Sequence, residues 1–308
     1  LHKAIRRQRQ MCIRDRYTNF PQIFADGTEV DARSTVVIRC ILSMTSECLQ
    51  LQAMNPNLCI KNDASYHDMY YMNPPAKDLS KIASSDKVKK VQKDFEATHV
   101  RPQRLMKTLF TDEAYVKANV DEARLMRRLF DLACNMQSHD TDMQLYSLFT
   151  DEECYDLWSC NNLYWYLTHA CSPVTDGLMP YREADLLRNI LDRADAALKE
   201  GKNQATLRFG HESCLLPLVA LLELNHYGES YPDVEKLSEQ WRAYDIFPMA
   251  SNVQFVFFHK KGSNDVLVKV LLNEKETKLP VKTDVAPYYH WKDVESYYRE
   301  KLDKYQHI

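Results

Sequence analysis

The stretch that most constrains this chain runs from Ala205 to Leu222. Five residues, Ala205-Thr206-Leu207-Arg208-Phe209, lead to Gly210-His211-Glu212, and an apolar run from Ser213 to Leu222 follows. The first part reads as a short strand that breaks at Gly210, and the apolar run reads as a helix. Such a hand-over leaves the first backbone N–H groups of the helix unpaired. It also sets the positive end of the helix dipole beside His211 and Glu212. Junctions of this kind attract phosphate. A histidine there can donate to phosphoryl oxygens, and a neighbouring carboxyl group can protonate a leaving alkoxide. The plain alternative for His211 is a hydrogen-bonded residue capping a helix.

With 308 residues, the chain has room for about two domains or one elaborated domain. A net charge of −3 gives no electrostatic case for nucleic acid or an anionic membrane surface. No run of about 18 apolar residues is present, so the sequence offers no transmembrane segment. Eighteen tyrosines against six glycines argue for a helix-rich globule over disorder or a β-sandwich. The nine cysteines form no Cys-x-x-Cys pair, which leaves a zinc site without support, and their odd number leaves at least one thiol free.

Along the chain, Asp26-Gly27 marks a turn into a short extended segment. From Arg33 the pattern predicts a helix running to about Met54, with apolar residues at 37, 38, 41, 44, 48 and 51 and Pro56 just beyond. Arg39 and Ser43 lie one turn apart on another face of it. Leu58 to Asp63 reads as a strand. His67 beside Asp68 has the chemistry of an acid–base pair but no partner motif. Residues 78 to 200 read as almost entirely helical, with helices expected near 86–98, 102–110, 121–137, 151–168 and 181–200. Thr111-Asp112-Glu113 and Thr150-Asp151-Glu152-Glu153 have the capping pattern of helix starts. Tyr155, Trp158, Leu163, Trp165 and Tyr166 form an aromatic band expected in the core. Lys77, Lys81, Lys87, Lys89, Lys90 and Lys93 read as a solvated helix face, or alternatively as the mouth of a polyanion pocket. Residues 253–259 and 266–272 read as strands joined by Lys261-Gly262-Ser263-Asn264-Asp265, a hairpin signal. A final amphipathic helix is expected from about His290 to Tyr305.

Arg208-Phe209-Gly210-His211-Glu212-Ser213 resembles the second half of the active site in the histidine acid phosphatases of the histidine phosphatase superfamily. The whole is closest to bacterial relatives of multiple inositol polyphosphate phosphatases, which resemble phytases. In that family a strand ends in a histidine that binds phosphate, followed by a carboxyl that acts as general acid. The resemblance gives the first role to His211 and the second to Glu212, although His-Glu-Ser departs from the family's His-Asp and His-Ala-Glu spellings. A second resembling stretch, Arg33-Ser34-Thr35 to Arg39 and Ser43, places Arg39 as the arginine that enters the phosphate pocket. A guanidinium suits that role because its planar fork matches phosphate oxygens. Arg33 reads equally as structural support. Met179 to Ile190 and Met249-Ala250-Ser251-Asn252-Val253 also resemble these relatives.

The resemblance implies an α/β fold, a phosphoglycerate-mutase-like α/β core (here with an incomplete sheet) carrying an inserted, mostly helical cap domain. It places the core at 17–62 and 202–308 and the cap at 63–201. The implied activity is hydrolysis of phosphate monoesters, inositol polyphosphates such as phytate, through a phosphohistidine, with no metal or organic cofactor. The implied location is periplasmic or secreted. The family takes its nucleophilic histidine from an Arg-His-Gly-x-Arg motif near the N-terminus. No Arg-His-Gly occurs in these 308 residues, and neither His2 nor any other histidine has that context. The basic stretch Leu1 to Arg16, with Met11-Cys12-Ile13-Arg14-Asp15-Arg16, reads as a non-native leader on a 5′-truncated gene fragment. Otherwise it reads as a basic tail for an acidic partner. The chain as written is therefore expected to be inactive. A phosphoglycerate-mutase-like transferase and a nucleophile-less pseudophosphatase that binds ligands or partners are the competing readings.

Overall fold

A computed structural model of the chain describes residues 16–305. The residues read as a leader lie outside this range apart from Arg16, whose guanidinium pairs with Glu47 at 2.5 Å. In chain order the elements are β1 (Glu29–Ser34), α1 (Ile38–Met54), β2 (Cys59–Asp63), α2 (Met69–Met72), α3 (Lys77–Ala83), α4 (Asp86–His99), α5 (Gln103–Leu109), α6 (Glu113–Asn119), α7 (Glu122–Asn135), α8 (Asp151–His169), α9 (Ala184–Glu200), β3 (Gln204–Phe209), α10 (Glu212–Leu221), α11 (Leu237–Gln240), α12 (Ala243–Ile246), β4 (Val253–His259), β5 (Val266–Leu272), β6 (Lys275–Glu276), β7 (Tyr289–His290) and α13 (Trp291–Tyr305). Short 3₁₀ turns join several of them. The fold is α/β, as expected.

Two sheets form. In the first, β1 lies between β2 and β3, parallel to both, with Ser34 opposite Phe209 at the end of the register. In the second, β4 and β5 make the expected antiparallel hairpin, and β6 and β7 both pair with β5. Among the described residues, β3 and β4 each have one edge without a partner.

One expectation fails at β1. Arg33 and Ser34 do not start a helix. They end the strand, and α1 begins only at Ile38. The strand is hard to read because it is half polar. Val30 and Ala32 pack toward α1 with Leu51, Met44 and Cys48. Asp31 instead accepts from Arg33 at 2.9 Å, Arg193 of α9 at 3.1 Å and Arg208 of β3 at 3.2 Å. Burial opposes the charge on Asp31, but Arg208, Arg33 and Arg193 outweigh it and hold the carboxyl below its ordinary range. The β-branched Thr35-Val36-Val37 that follows suits extended backbone better than a first helical turn.

The short α2 precedes the helical stretch, which carries α3 and α6 beyond the expected helices. Its largest self-contained cluster joins Leu105, Met106, Val116, Met126, Ala133, Phe149 and Leu157. Of the aromatic band, Leu163 and Tyr166 are buried, whereas Tyr155 lies on the surface and bonds Ser238 at 2.6 Å. The main core joins α8, α9 and α10 to β5 and α13. Among the described residues, no helix is long and apolar enough to cross a membrane. No group of three or more His, Cys, Asp or Glu side chains among them is placed to hold a metal ion.

Candidate active site

The parallel register stops β1 and β3 at the same level, so their next residues meet at the C-terminal edge of the sheet. In open α/β sheets this edge is where ligands bind. The Thr35 amide extends the ladder to Phe209 O at 3.0 Å. After Gly210, His211 takes extended backbone (φ −125°, ψ 157°) at the N-cap of α10 without its ring bonding the helix. The imidazole is therefore not spent on capping, and it projects toward α1.

There it meets Arg39, 172 residues earlier, whose Nη2 lies 2.9 Å from Nδ1. On the other side of the ring, Nε2 lies 3.1 Å from Thr35 Oγ1. A guanidinium can only donate, so Nδ1 accepts and the ring proton sits on Nε2, which donates to Thr35. Burial, with the Arg39 charge added, pushes the imidazole below its ordinary pKa, while Glu212 pulls the other way. Cys40 Sγ lies 3.8 and 3.9 Å from the two ring nitrogens and donates to Gly210 O at 3.2 Å. Glu212 is exposed in the first turn of α10.

Arg39, Cys40, His211 and Glu212 line a cleft of about 1570 Å³. The strands β3 and β4 both line it, α1 contributes Arg39, Ser43 and Glu47, and α9 contributes Ile190 and Arg193. Arg33 does not line it, because its guanidinium is taken up by Asp31, Asp63 and Asp68. His67 and Asp68 do not line it either. The six lysines from Lys77 to Lys93 are exposed away from the cleft, several of them paired with carboxylates of their own helices. Sequence reasoning gave Thr35 and Cys40 no part. The signal for Thr35 was its place one residue past the end of β1, but only knowledge of the β1–β3 register makes that place meaningful.

The profile of the histidine phosphatase superfamily (branch 2) matches residues 47–273, which is most of the chain and includes His211 and Glu212. The chain belongs to this family. Human multiple inositol polyphosphate phosphatase 1 is 28% identical to it over 134 residues, covering 39% of this chain and 27% of that protein. The match thus spans about a quarter of that relative's length. Among solved structures, multiple inositol polyphosphate phosphatase of Bifidobacterium longum in complex with inositol hexasulfate superposes with a TM-score of 0.73 at 17% identity, covering 94% of this chain and 77% of that one. The phytase from D. castellii gives 0.69 at 12% identity, covering 96% and 63%. This branch 2 member therefore shares the fold of those two proteins.

Proposed function

We propose that this histidine phosphatase family chain forms the phosphate-holding half of a phosphomonoesterase acting on inositol polyphosphates. The observation that carries the proposal is the 2.9 Å approach of Arg39 to His211 at the sheet's C-terminal edge. It brings a fork of donors and an imidazole to one point beside a helix N-terminus. In this reading Arg39 and His211 hold the phosphate, and Glu212 protonates the departing inositol oxygen. The attacking group is a histidine that forms a phosphohistidine, and these 308 residues contain no Arg-His-Gly to supply it. The open edges of β3 and β4 on the same cleft offer a place for a strand bearing that motif, whose C-terminal end would lie beside His211. The helices between 63 and 201 form the cap over this core, and the relatives' names support the substrate class. The periplasmic or secreted location in this reading comes from the family resemblance alone.

Two measurements test the proposal. The chain as written should bind inorganic phosphate without hydrolysing inositol hexakisphosphate, and Arg39→Ala should weaken that binding by at least about tenfold, the cost of one charge-assisted contact. Unchanged binding in Arg39→Ala removes the assignment. Joined to a native N-terminal segment carrying Arg-His-Gly-x-Arg, the protein should release phosphate from inositol hexakisphosphate. A native protein that begins without that motif, and that binds phosphate only, supports the pseudophosphatase reading.

A further inference from the structure

We propose that His211 is an either/or switch: Thr35 pins Nε2, and Nδ1 either accepts from Arg39 or, once an anion takes the guanidinium, carries a proton that it donates to that anion. This inference rests on the reading of the pocket as a phosphate site and adds what that reading does not contain, a proton taken up as the anion binds.

The argument is one of exclusion. Arg39 Nη2 lies 2.9 Å from Nδ1 and has no lone pair to offer. An N–H on Nδ1 would set two donors against each other, so a doubly protonated ring and the Arg39 contact cannot coexist. Thr35 removes the other freedom. Its hydroxyl is fully buried and lies 3.1 Å from Nε2, and its own amide is fixed to β3. Nε2 thus keeps its proton in both states, and only Nδ1 changes. The other groups facing the ring do not compete for Nδ1. The Cys40 thiol donates to Gly210 O at 3.2 Å, and Glu212 favours the charged ring only from the exposed start of α10. An anion with several acceptor oxygens resolves the exclusion, because it can accept from Arg39 and from a protonated Nδ1 together. The proton comes from solvent, and no covalent bond changes. Thr35 is a positioning residue here, acting on the anion only through His211.

Linkage makes this measurable. Uptake of one proton makes anion affinity fall about tenfold per pH unit while the pH lies above the pKa of the anion-free ring. Sulfate is the probe, since it has no proton of its own to exchange near neutral pH. With the full chain labelled on its histidine nitrogens, and His211→Asn used to assign the ring, the anion-free protein should show a proton on Nε2 alone. Sulfate should protonate Nδ1, and calorimetry in buffers of different ionisation enthalpy should report about one proton taken up. Thr35→Val, which keeps the buried shape, should leave the anion-free proton on Nε2, where the Arg39 contact alone holds it. It should still weaken sulfate binding about tenfold by leaving the Nε2 proton of the charged ring unpartnered, and Thr35→Ser should restore the binding. An anion-free ring protonated on Nδ1 overturns the inference. So does sulfate binding that leaves the ring signals unchanged, which spares the phosphate-site reading if Arg39→Ala abolishes that binding. Absence of binding by both sulfate and phosphate between about pH 5 and 8 removes the two together.

Discussion

Glu183, the residue before α9, is 2% exposed, and its Oε2 has no hydrogen-bond partner among the described residues. Burial pushes its carboxyl up to about 8 against an ordinary value of 4.5, with Arg182 opposing. The folded protein therefore keeps a proton that the unfolded chain gives up, so stability falls as the pH rises from about 4.5 toward 8 and then levels. Glu183→Gln, which mimics the protonated side chain, should leave the melting temperature near pH 5 almost unchanged and raise it above pH 8. Equal shifts at both ends would show that the carboxyl is not held neutral. Glu212, exposed at the start of α10, answers to a chemical test instead. In a protein with its nucleophile in place, Glu212→Gln should slow esters of poor leaving groups more than p-nitrophenyl phosphate, because only the former need a proton. Equal slowing would make the side chain structural. The two carboxylates also differ in how much the sequence discloses. His211 and Glu212 are legible because strand, Gly210 and apolar run are neighbours along the chain. The approach of Arg39 was expected only through family resemblance. Thr35 and Cys40 owe their places to a register that reaches across 176 and 171 residues, and no local pattern encodes it.

At the scale of elements, α10 is the part that carries the site, and it is fastened at both ends. Its N-terminal end joins β3 through Gly210 and His211. At its C-terminal end the carbonyls of Leu221 and Leu222 accept from Lys301 Nζ and Tyr298 Oη of α13, each at 2.7 Å. Lys301 also pairs with Glu223 at 3.1 Å, and Tyr297 donates to the same carboxylate. Burial pushes the Lys301 amine below its ordinary pKa while Glu223 supports its charge. A cation at a helix C-terminus is favoured by the dipole and satisfies carbonyls that the helix itself cannot. Lys301→Met should therefore cost about 2 kcal/mol of stability in denaturant unfolding, the range of a hydrogen bond to a charged group. An unchanged midpoint would mean that water replaces the amine at no cost. The strand β1 shows why some elements stay hidden. Its Asp31 and Arg33 look like surface residues because Arg193 and Arg208, which neutralise that face, arrive from 162 and 177 residues away.

Across the whole molecule, three layers meet at the cleft: α1 on one face, the strands between, and α9 on the other. The hairpin β4–β5 was readable from its strict spacing, and its bounds match expectation at both strands. The separation of the strands into two sheets was not readable, because pairing partners are chosen by topology and not by composition. Long-range order here depends on helices more than on strand pairing. The main core links α8, α9, α10 and α13 around β5, while the strands of the first sheet pack in separate clusters with α1.

The unpaired edges of β3 and β4 also have a consequence for handling. A row of free backbone donors and acceptors accepts any extended polypeptide, including another copy of the same molecule, and β4 adds Phe255, Phe257 and Phe258 to the attraction. Purified alone, this chain should self-associate as its concentration rises, visible as a growing scattering mass. Phe258→Lys, near the exposed end of β4, should suppress that growth while leaving the far-ultraviolet dichroism unchanged, since Phe258 lies outside the main core and a charge on an open edge strand discourages edge-to-edge stacking.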